Sequence, residues 1–120
     1  MASKRVRRAG IVLAVVVAIF LLLQVIPGYG RTNPAVVAEP AWDQPRTRAL
    51  AKRACFDCHS NETVWPWYAY VAPAKWLVVD DVLEARHRLN FSDWHSGDMS
   101  GGVAAKEIKE GEMPLPNYLR

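Results

Sequence analysis

The chain has 120 residues, of which 51% are hydrophobic and 22% are charged, a composition typical of one small globular domain. Its formal net charge is +3, but the basic excess is confined to the N-terminus. Four of the fifteen Lys and Arg residues lie within residues 1–8, which leaves eleven basic against twelve acidic residues in the rest of the chain. Because no basic stripe remains past residue 8, nucleic-acid binding is excluded as a function.

The first predicted element is an apolar helix over residues 9–26, in which Gln24 is the single polar side chain. At a helical rise of 1.5 Å per residue this run spans about 27 Å, close to the thickness of the hydrocarbon core of a bilayer. Residues 1–8 carry the flanking positive charge, so the positive-inside rule keeps this end in the cytoplasm. We therefore predict a single-pass anchor in the cytoplasmic membrane, with the rest of the chain on the outer side.

A cleaved signal peptide is the alternative interpretation of residues 9–26. Signal peptides have an apolar stretch of about 7–15 residues, followed closely by a small-residue cleavage site. Here the apolar run is longer, and the nearest suitable site, residues 36–38, lies well beyond its end. We favour the uncleaved anchor; either interpretation places the remainder outside the cytoplasmic membrane.

Residues 27–45 contain four prolines and two glycines and show no sustained periodicity. Proline removes a backbone donor and keeps the residue before it away from helical geometry. We therefore predict an extended tether that lets the following domain swing between partners in the same membrane.

The domain predicted over residues 46–120 is all-α, because its apolar residues recur with helical spacing and no segment alternates with period two. Helices are expected over 46–54, from Pro73 to Asn90, and over 103–109, where Gly111 suits the position after a helix end. The remaining segments, 60–72 and 91–102, are predicted loops. A domain this short rarely buries enough apolar surface without a disulfide, a metal or another staple.

The two cysteines of the chain lie in the segment Cys55-Phe56-Asp57-Cys58-His59. The spacing C-x-x-C-H is the attachment signature of a c-type haem. Two thiols on about one helical turn can each add to a vinyl group of the same porphyrin, and the adjacent imidazole then ligates the iron. Covalent attachment also suits a domain too small to enclose the group by packing alone.

The two cysteines could instead serve one of three other roles. A Cys55–Cys58 disulfide would close a very short loop and stabilise little. A thioredoxin-like dithiol needs a βαβ context, which the pattern does not predict. A zinc site needs four ligands, and only the three histidines could supplement the thiols. Haem attachment is favoured, because the outer side of the membrane is where c-type haem is attached.

Several other residues have expected roles. Trp65, Trp67, Tyr68 and Tyr70 follow the cysteine motif and would either wall a porphyrin or form ordinary core. Lys75 and Arg86 are expected to face solvent. Tyr118 and Trp94 are candidates for contact with the haem propionates.

Met113 is a candidate for the second axial ligand of the iron, because a thioether is a good haem ligand. Pro114 and Pro116 would hold its loop rigid. A gap-filling apolar role is the alternative for a methionine. The competing candidates are Met99, His87 and His95.

Residues 55–76, CFDCHSNETVWPWYAYVAPAKW, strongly resemble the small haem-binding domain family of bacterial membrane-anchored c-type cytochromes. The resemblance continues through residues 89–94, LNFSDW, and residues 110–118, EGEMPLPNY. It therefore covers most of residues 45–118, with several specific blocks in the order expected of the family.

This resemblance implies an all-α, cytochrome-c-like domain that carries one covalently bound haem c. Cys55 and Cys58 match the thioether positions, His59 matches the proximal ligand, and Met113 matches the position of the distal ligand. The family is expected to continue past the Tyr118 region into a further helix, whereas this sequence ends seven residues after Met113. A shorter member, or one completed by another subunit, is the expectation.

The function expected from these features is that of a membrane-anchored monohaem c-type cytochrome and not an enzyme. It would pass single electrons between membrane redox proteins, as donor and acceptor, on the periplasmic side of the bacterial inner membrane. One alternative is a haem-based sensor or peroxidase-like enzyme with an open sixth position. Another is a haem-bearing accessory subunit of a larger membrane redox complex.

Overall fold

The computed structural model describes residues 2–94 and 101–116, and this part of the chain is helical, without a β-strand. Its elements are α1 (Ala2–Val25), α2 (Pro45–Ala54), α3 (Phe56–His59), a short 3-10 helix (Trp67–Tyr70), α4 (Ala74–Arg88) and α5 (Gly101–Glu110). An isolated bridge between Ala38 and Asp93 is the β-type pairing found within this part of the chain. The prediction of an all-α fold behind one leading helix is confirmed.

Helix α1 projects away from the rest of the molecule. It contains 24 residues, which give it a length of about 36 Å, and the longest dimension of the molecule is 71 Å. Its apolar segment, Ser3–Val25, is long and apolar enough to cross a membrane, and none of it is buried inside the protein. α1 is therefore a candidate membrane span.

Proline and glycine mark the ends of the helices of the domain, as predicted at Pro73 and Gly111 and in addition at Pro45, which was assigned to the tether. Pro45 opens α2, Pro73 precedes α4, and Gly111 follows α5 with a φ of 76°, the left-handed conformation that ends many helices. The three predicted helices lie within two residues of their observed bounds. The 3-10 helix was not predicted, because it lies inside the aromatic segment assigned to a loop.

An aromatic cluster forms the centre of the domain. Phe56, Leu89 and Phe91 are buried, and Trp42 and Trp94 pack against them. The Phe91 ring lies 5.5 Å from those of Phe56 and Trp42 and 5.7 Å from that of Trp94, measured between centroids. Because Phe56 lies inside the cysteine motif, this cluster fixes the motif to the core.

Residues 27–44, here called the strap, are extended, as their prolines predict, but they pack along the domain. Hydrogen bonds hold the strap along its length, among them Arg31 Nη1 to Ala69 O (2.8 Å), Asn33 Nδ2 to Thr63 O (2.9 Å), Val37 N to Ser92 O (2.8 Å) and Trp94 N to Ala38 O (3.0 Å). The structure thus differs from the expectation of a swinging tether. Backbone groups of an extended chain need partners, and the domain surface supplies them.

Gly30 marks the closest approach of the strap to α4. Its φ is 76°, and a Cβ built there would lie 2.8 Å from Leu83 Cδ1 and 3.1 Å from Val79 Cγ1. Glycine is required at position 30 because other residues rarely adopt a positive φ and because no side chain fits between the strap and α4.

Glu39 fastens the other end of the strap to α2. Arg48 donates to both of its carboxylate oxygens, with distances of 2.7 and 2.5 Å, and Trp42 Nε1 donates to it at 2.8 Å. The Arg48 hydrogen bonds, together with that of Trp42 and the nearby positive charge, lower the pKa of Glu39 from 4.5 to about 2 against the opposing effect of burial.

Candidate haem site

The cysteine motif occupies the junction between α2 and α3. Cys55 caps the end of α2, with its N–H donating to Ala51 O at 2.8 Å. The N–H groups of Cys58 and His59 donate to Cys55 O at 3.2 and 2.8 Å. One helical turn therefore carries all three residues, as the spacing predicts.

Both thiols are unpaired and half-buried. Burial raises the pKa of the Cys55 thiol. Burial also raises the pKa of the Cys58 thiol, and the negative charges of Asp57 and Asp81 raise it further. The two sulfurs are therefore held as neutral thiols at neutral pH.

The surroundings of the two thiols test the redox-dithiol and zinc-site alternatives for the cysteine pair. A reactive redox dithiol depends on a lowered thiol pKa, the opposite of what surrounds Cys55 and Cys58. Within residues 2–94 and 101–116, no group of three or more His, Cys, Asp or Glu side chains is placed to hold a metal ion. The raised thiol pKa values therefore argue against a thioredoxin-like role, and the described residues show no zinc site.

The ring of His59 is oriented by the end of α4. Its Nδ1 atom lies 3.1 Å from Ala85 O and 3.0 Å from Leu89 O. Carbonyl oxygens only accept hydrogen bonds, so Nδ1 carries the proton and Nε2 has a free lone pair. A donor bond of this kind fixes the tautomer and orientation of a metal-ligating histidine.

The backbone that follows His59 is also held. Phe91 N donates to His59 O at 2.8 Å, and Ser60 Oγ donates to Phe56 O at 2.7 Å across the turn. Ser60 is fully buried. These contacts fix the position of the imidazole from both sides of the motif.

Arg86 links α4 to the strap and to the segment that follows the cysteine motif. Its guanidinium donates to Ser60 O (2.7 Å), Thr63 Oγ1 (2.8 Å), Thr32 O (2.8 Å) and Asn33 Oδ1 (2.9 Å). Burial lowers its pKa. The expectation that Arg86 faces solvent is wrong, because these four acceptors surround it.

Lys75 was also expected at the surface, and that expectation is wrong. It is 4% exposed, and its ammonium reaches the carbonyl end of α1. His87, by contrast, is exposed on α4. Trp67, Tyr68 and Tyr70 are exposed and do not form core.

Met113 lies in the segment after α5. Its N–H and that of Glu112 donate to Glu107 O at 3.3 and 3.0 Å, and its side chain is 37% exposed. Helix α5 joins the motif side of the domain through Ala104, which packs on the aromatic cluster. The distal-ligand role of Met113 stays a prediction. The competing candidates His95 and Met99, and also Tyr118, lie outside the described residues.

The residues present fit a haem. Two neutral thiols and an imidazole with a free Nε2 lie on one turn, and this donor set is the one that covalent attachment and proximal ligation require. Sequence reasoning found these residues but missed the carbonyls of Ala85 and Leu89 that orient His59. Backbone acceptors have no sequence signal.

A small all-α domain with an oriented histidine beside a cysteine pair is the arrangement expected of a haem protein. Comparison with known protein families agrees: the model of the haem-binding domain family matches residues 18–120. The chain belongs to this family and is a haem-binding protein. Searches of the curated proteins and of the solved structures found no match to the chain.

Proposed function

We propose that the protein is a monohaem c-type cytochrome that transfers single electrons on the outer side of the cytoplasmic membrane, anchored by α1. The observation that carries this proposal is the single turn on which Cys55 and Cys58 present neutral thiols beside a His59 ring held by Ala85 O and Leu89 O. Each part of that arrangement serves attachment or ligation, and neither hydrolysis nor group transfer needs it.

The two cysteines would hold the haem through thioether bonds. Each Sγ–H would add across one vinyl C=C of the porphyrin, with the sulfur bonded to one carbon, the hydrogen to the other, and no leaving group. The half-buried environment that keeps both thiols protonated supplies the S–H form from which this addition starts. Haem iron, when bound, supplies a reversible change of one electron.

His59 would bind the iron through Nε2 from one side. Its Nδ1–H donates to main-chain carbonyls, and such a bond raises the basicity of the ligating nitrogen. Met113 is proposed as the ligand from the other side, because a thioether favours the reduced iron and raises the reduction potential. If His59 and Met113 both hold the iron, electron transfer without bond-making chemistry would be the expected use.

The proposed location follows from α1 and the charges before it. The apolar segment would span the cytoplasmic membrane, and the basic residues would keep the N-terminus inside. The haem domain would then lie on the outer side, where it exchanges electrons with donor and acceptor proteins of the same membrane.

The attachment is tested by a denaturing gel stained for haem peroxidase activity, run on the full chain expressed with a c-type haem maturation system. We expect a stained band for the wild type and none for the Cys55→Ala, Cys58→Ala double variant. An unstained wild-type band would overturn the proposal, because only covalently bound haem survives boiling in detergent.

An open sixth position is the alternative that the exposure of Met113 makes worth testing. Carbon monoxide added to the reduced protein separates the two functions. An unchanged low-spin spectrum supports electron transfer, and ready binding of carbon monoxide supports a small-ligand sensor or a peroxidase-like enzyme.

A further inference from the structure

The end of α1 is joined firmly to the haem-binding domain. The side-chain amide of Gln24 accepts from Ala72 N at 2.9 Å, and it donates to Ala72 O at 3.3 Å. This reciprocal pair connects residues that lie 48 positions apart in the sequence. It ties the last turn of α1 to the segment that leads into α4.

Lys75 strengthens the same junction. Its buried ammonium donates to Leu23 O (3.3 Å), Gln24 O (3.2 Å) and Ile26 O (2.5 Å). A helix leaves its last carbonyls without internal partners, and a cation there complements the helix dipole. A buried cation with three acceptors, together with the Gln24 amide pair, makes this junction a fixed joint.

Three exposed aromatic side chains and the partly buried Trp76 lie in the segments that lead into and out of the joint. Trp76 Nε1 donates to Pro27 O at 3.4 Å, directly after α1, and Tyr29 and Trp76 line one shallow groove. Tyr70 lies on the neighbouring 3-10 helix, and the guanidinium of Arg31 stacks on its ring, 3.9 Å from the ring centre. Tyr29, Trp67, Tyr70 and Trp76 are together called the collar.

Three of the four collar side chains are largely exposed. Trp67 is 77% exposed, Tyr29 75% and Tyr70 55%. Tryptophan and tyrosine have an apolar body and a polar edge, and they are enriched where membrane helices emerge from the bilayer. An apolar patch of this kind marks a contact surface.

The joint lies away from the groups that orient His59. The carbonyls that orient His59 belong to Ala85 and Leu89, whereas the joint holds α4 at Lys75. At 1.5 Å per residue these points are about 15–20 Å apart along α4. The groove beside Tyr29 also lies on another flank of α4, against Val79 and Leu83.

We propose that the collar lies in the headgroup layer of the outer leaflet where α1 emerges, so that the domain sits on the membrane in one orientation. The proposal rests on the membrane anchor of the proposed function and adds a second lipid contact to it. Lipid is the occupant because the collar is continuous with the end of α1. Tyr29 follows that end by a few residues, and Trp76 donates a hydrogen bond to Pro27 O just after it. Asp80, one turn further along α4 than Trp76, also lines the groove and marks its polar rim.

The test uses the full-length holoprotein, labelled with 5-fluorotryptophan and placed in phosphatidylcholine nanodiscs. Fluorine NMR lines, assigned by single Trp→Phe variants, are compared with and without a lipid that carries a nitroxide near its headgroup. The ratio cancels broadening by the haem. We expect Trp67 and Trp76 to lose more than about half of their intensity, as interfacial residues should.

Trp42 and Trp94 pack around Phe91 and serve as internal controls that keep their intensity. The proposal is overturned if Trp67 and Trp76 are insensitive to the labelled lipid but broadened by a water-soluble gadolinium chelate. A chain that does not enter nanodiscs overturns the anchor and this proposal together. A chain that shows lipid contact but lacks covalent haem overturns the cytochrome function alone.

The joint has its own variant. Lys75→Met removes the hydrogen bonds to Leu23 and Gln24 of α1 and to Ile26 just after it but keeps side-chain length, and Lys52→Met changes an exposed lysine on α2 as the matched control. We expect lipid broadening of Trp67 to weaken in the first variant and to match the wild type in the second. Equal broadening in both would overturn the role of the joint in orienting the domain.

Discussion

His59 Nδ1 lies 3.0 Å from the carbonyl oxygen of Leu89, the residue that caps α4. The last carbonyls of a helix have no partner within it, so the imidazole satisfies this one while the helix end orients the imidazole. The geometry of the proposed iron ligand is therefore tied to the position of α4. Contacts that fix α4 against the cysteine motif therefore also fix the His59 imidazole.

Arg86 is the side chain that holds α4 against the motif most directly. Replacing it by methionine removes a charged donor from buried acceptors on Ser60 and Thr63, which should lower the free energy of unfolding by about 2 kcal/mol or more. Arg88→Met removes only an exposed ion pair with Glu84 and should cost about 0.5 kcal/mol or less. Urea unfolding followed by circular dichroism compares the two; similar losses would contradict the role of Arg86.

The fit of the strap against α4 is tested by two glycines. Gly30→Ala should lower the free energy of unfolding by about 1–3 kcal/mol, because φ is positive and the new methyl group meets Leu83. At Gly28 a Cβ would lie 3.6 Å from Lys75 Cδ, an ordinary contact, so Gly28→Ala should change stability by about 0.5 kcal/mol or less. A free strap would tolerate both substitutions equally in thermal unfolding.

The Glu39–Arg48 pair predicts a specific loss of stability in acid. The folded pKa of about 2 is below the ordinary 4.5, so the ionised carboxylate stabilises the fold at all pH values above about 4.5. That contribution is lost as the pH falls from 4.5 towards 2. The difference in unfolding free energy between the wild type and Glu39→Gln should be largest at neutral pH and should shrink towards zero as the pH falls through this range. A difference that stays constant down to pH 2 would argue against the pair.

Met113 is tested by substitution within its loop. Met113→Ala should lower the reduction potential and allow carbon monoxide to bind the reduced iron, because the thioether ligand is lost. Leu115→Ala, at an exposed position two residues on, should keep the wild-type spectrum. If Met113→Ala also keeps a low-spin spectrum with an unchanged potential, another group fills the sixth position.

Local sequence signals predicted the local structure well. Pro73 and Gly111 mark the ends of two helices, and the spacing of Cys55 and Cys58 placed both thiols on one turn. These features depend on residues close together in the chain, which is why pattern and propensity found them.

The contacts between distant segments were not predictable in this way. Lys75 was expected in solvent, yet it is buried because the end of α1, about fifty residues earlier, presents carbonyls to it. The strap has no periodicity, so nothing in its sequence indicated that it would pack on α4. The orientation of His59 depends on main-chain carbonyls, whose positions follow from the fold and not from side-chain identity.

The most direct test of the cytochrome proposal is the intact mass of the mature full chain, measured after denaturation in detergent. We predict the mass of the polypeptide plus one haem, with neither Cys55 nor Cys58 available to a thiol reagent. The mass of the bare polypeptide, with both cysteines free or bridged to each other, would contradict covalent attachment and with it the assignment as a c-type cytochrome.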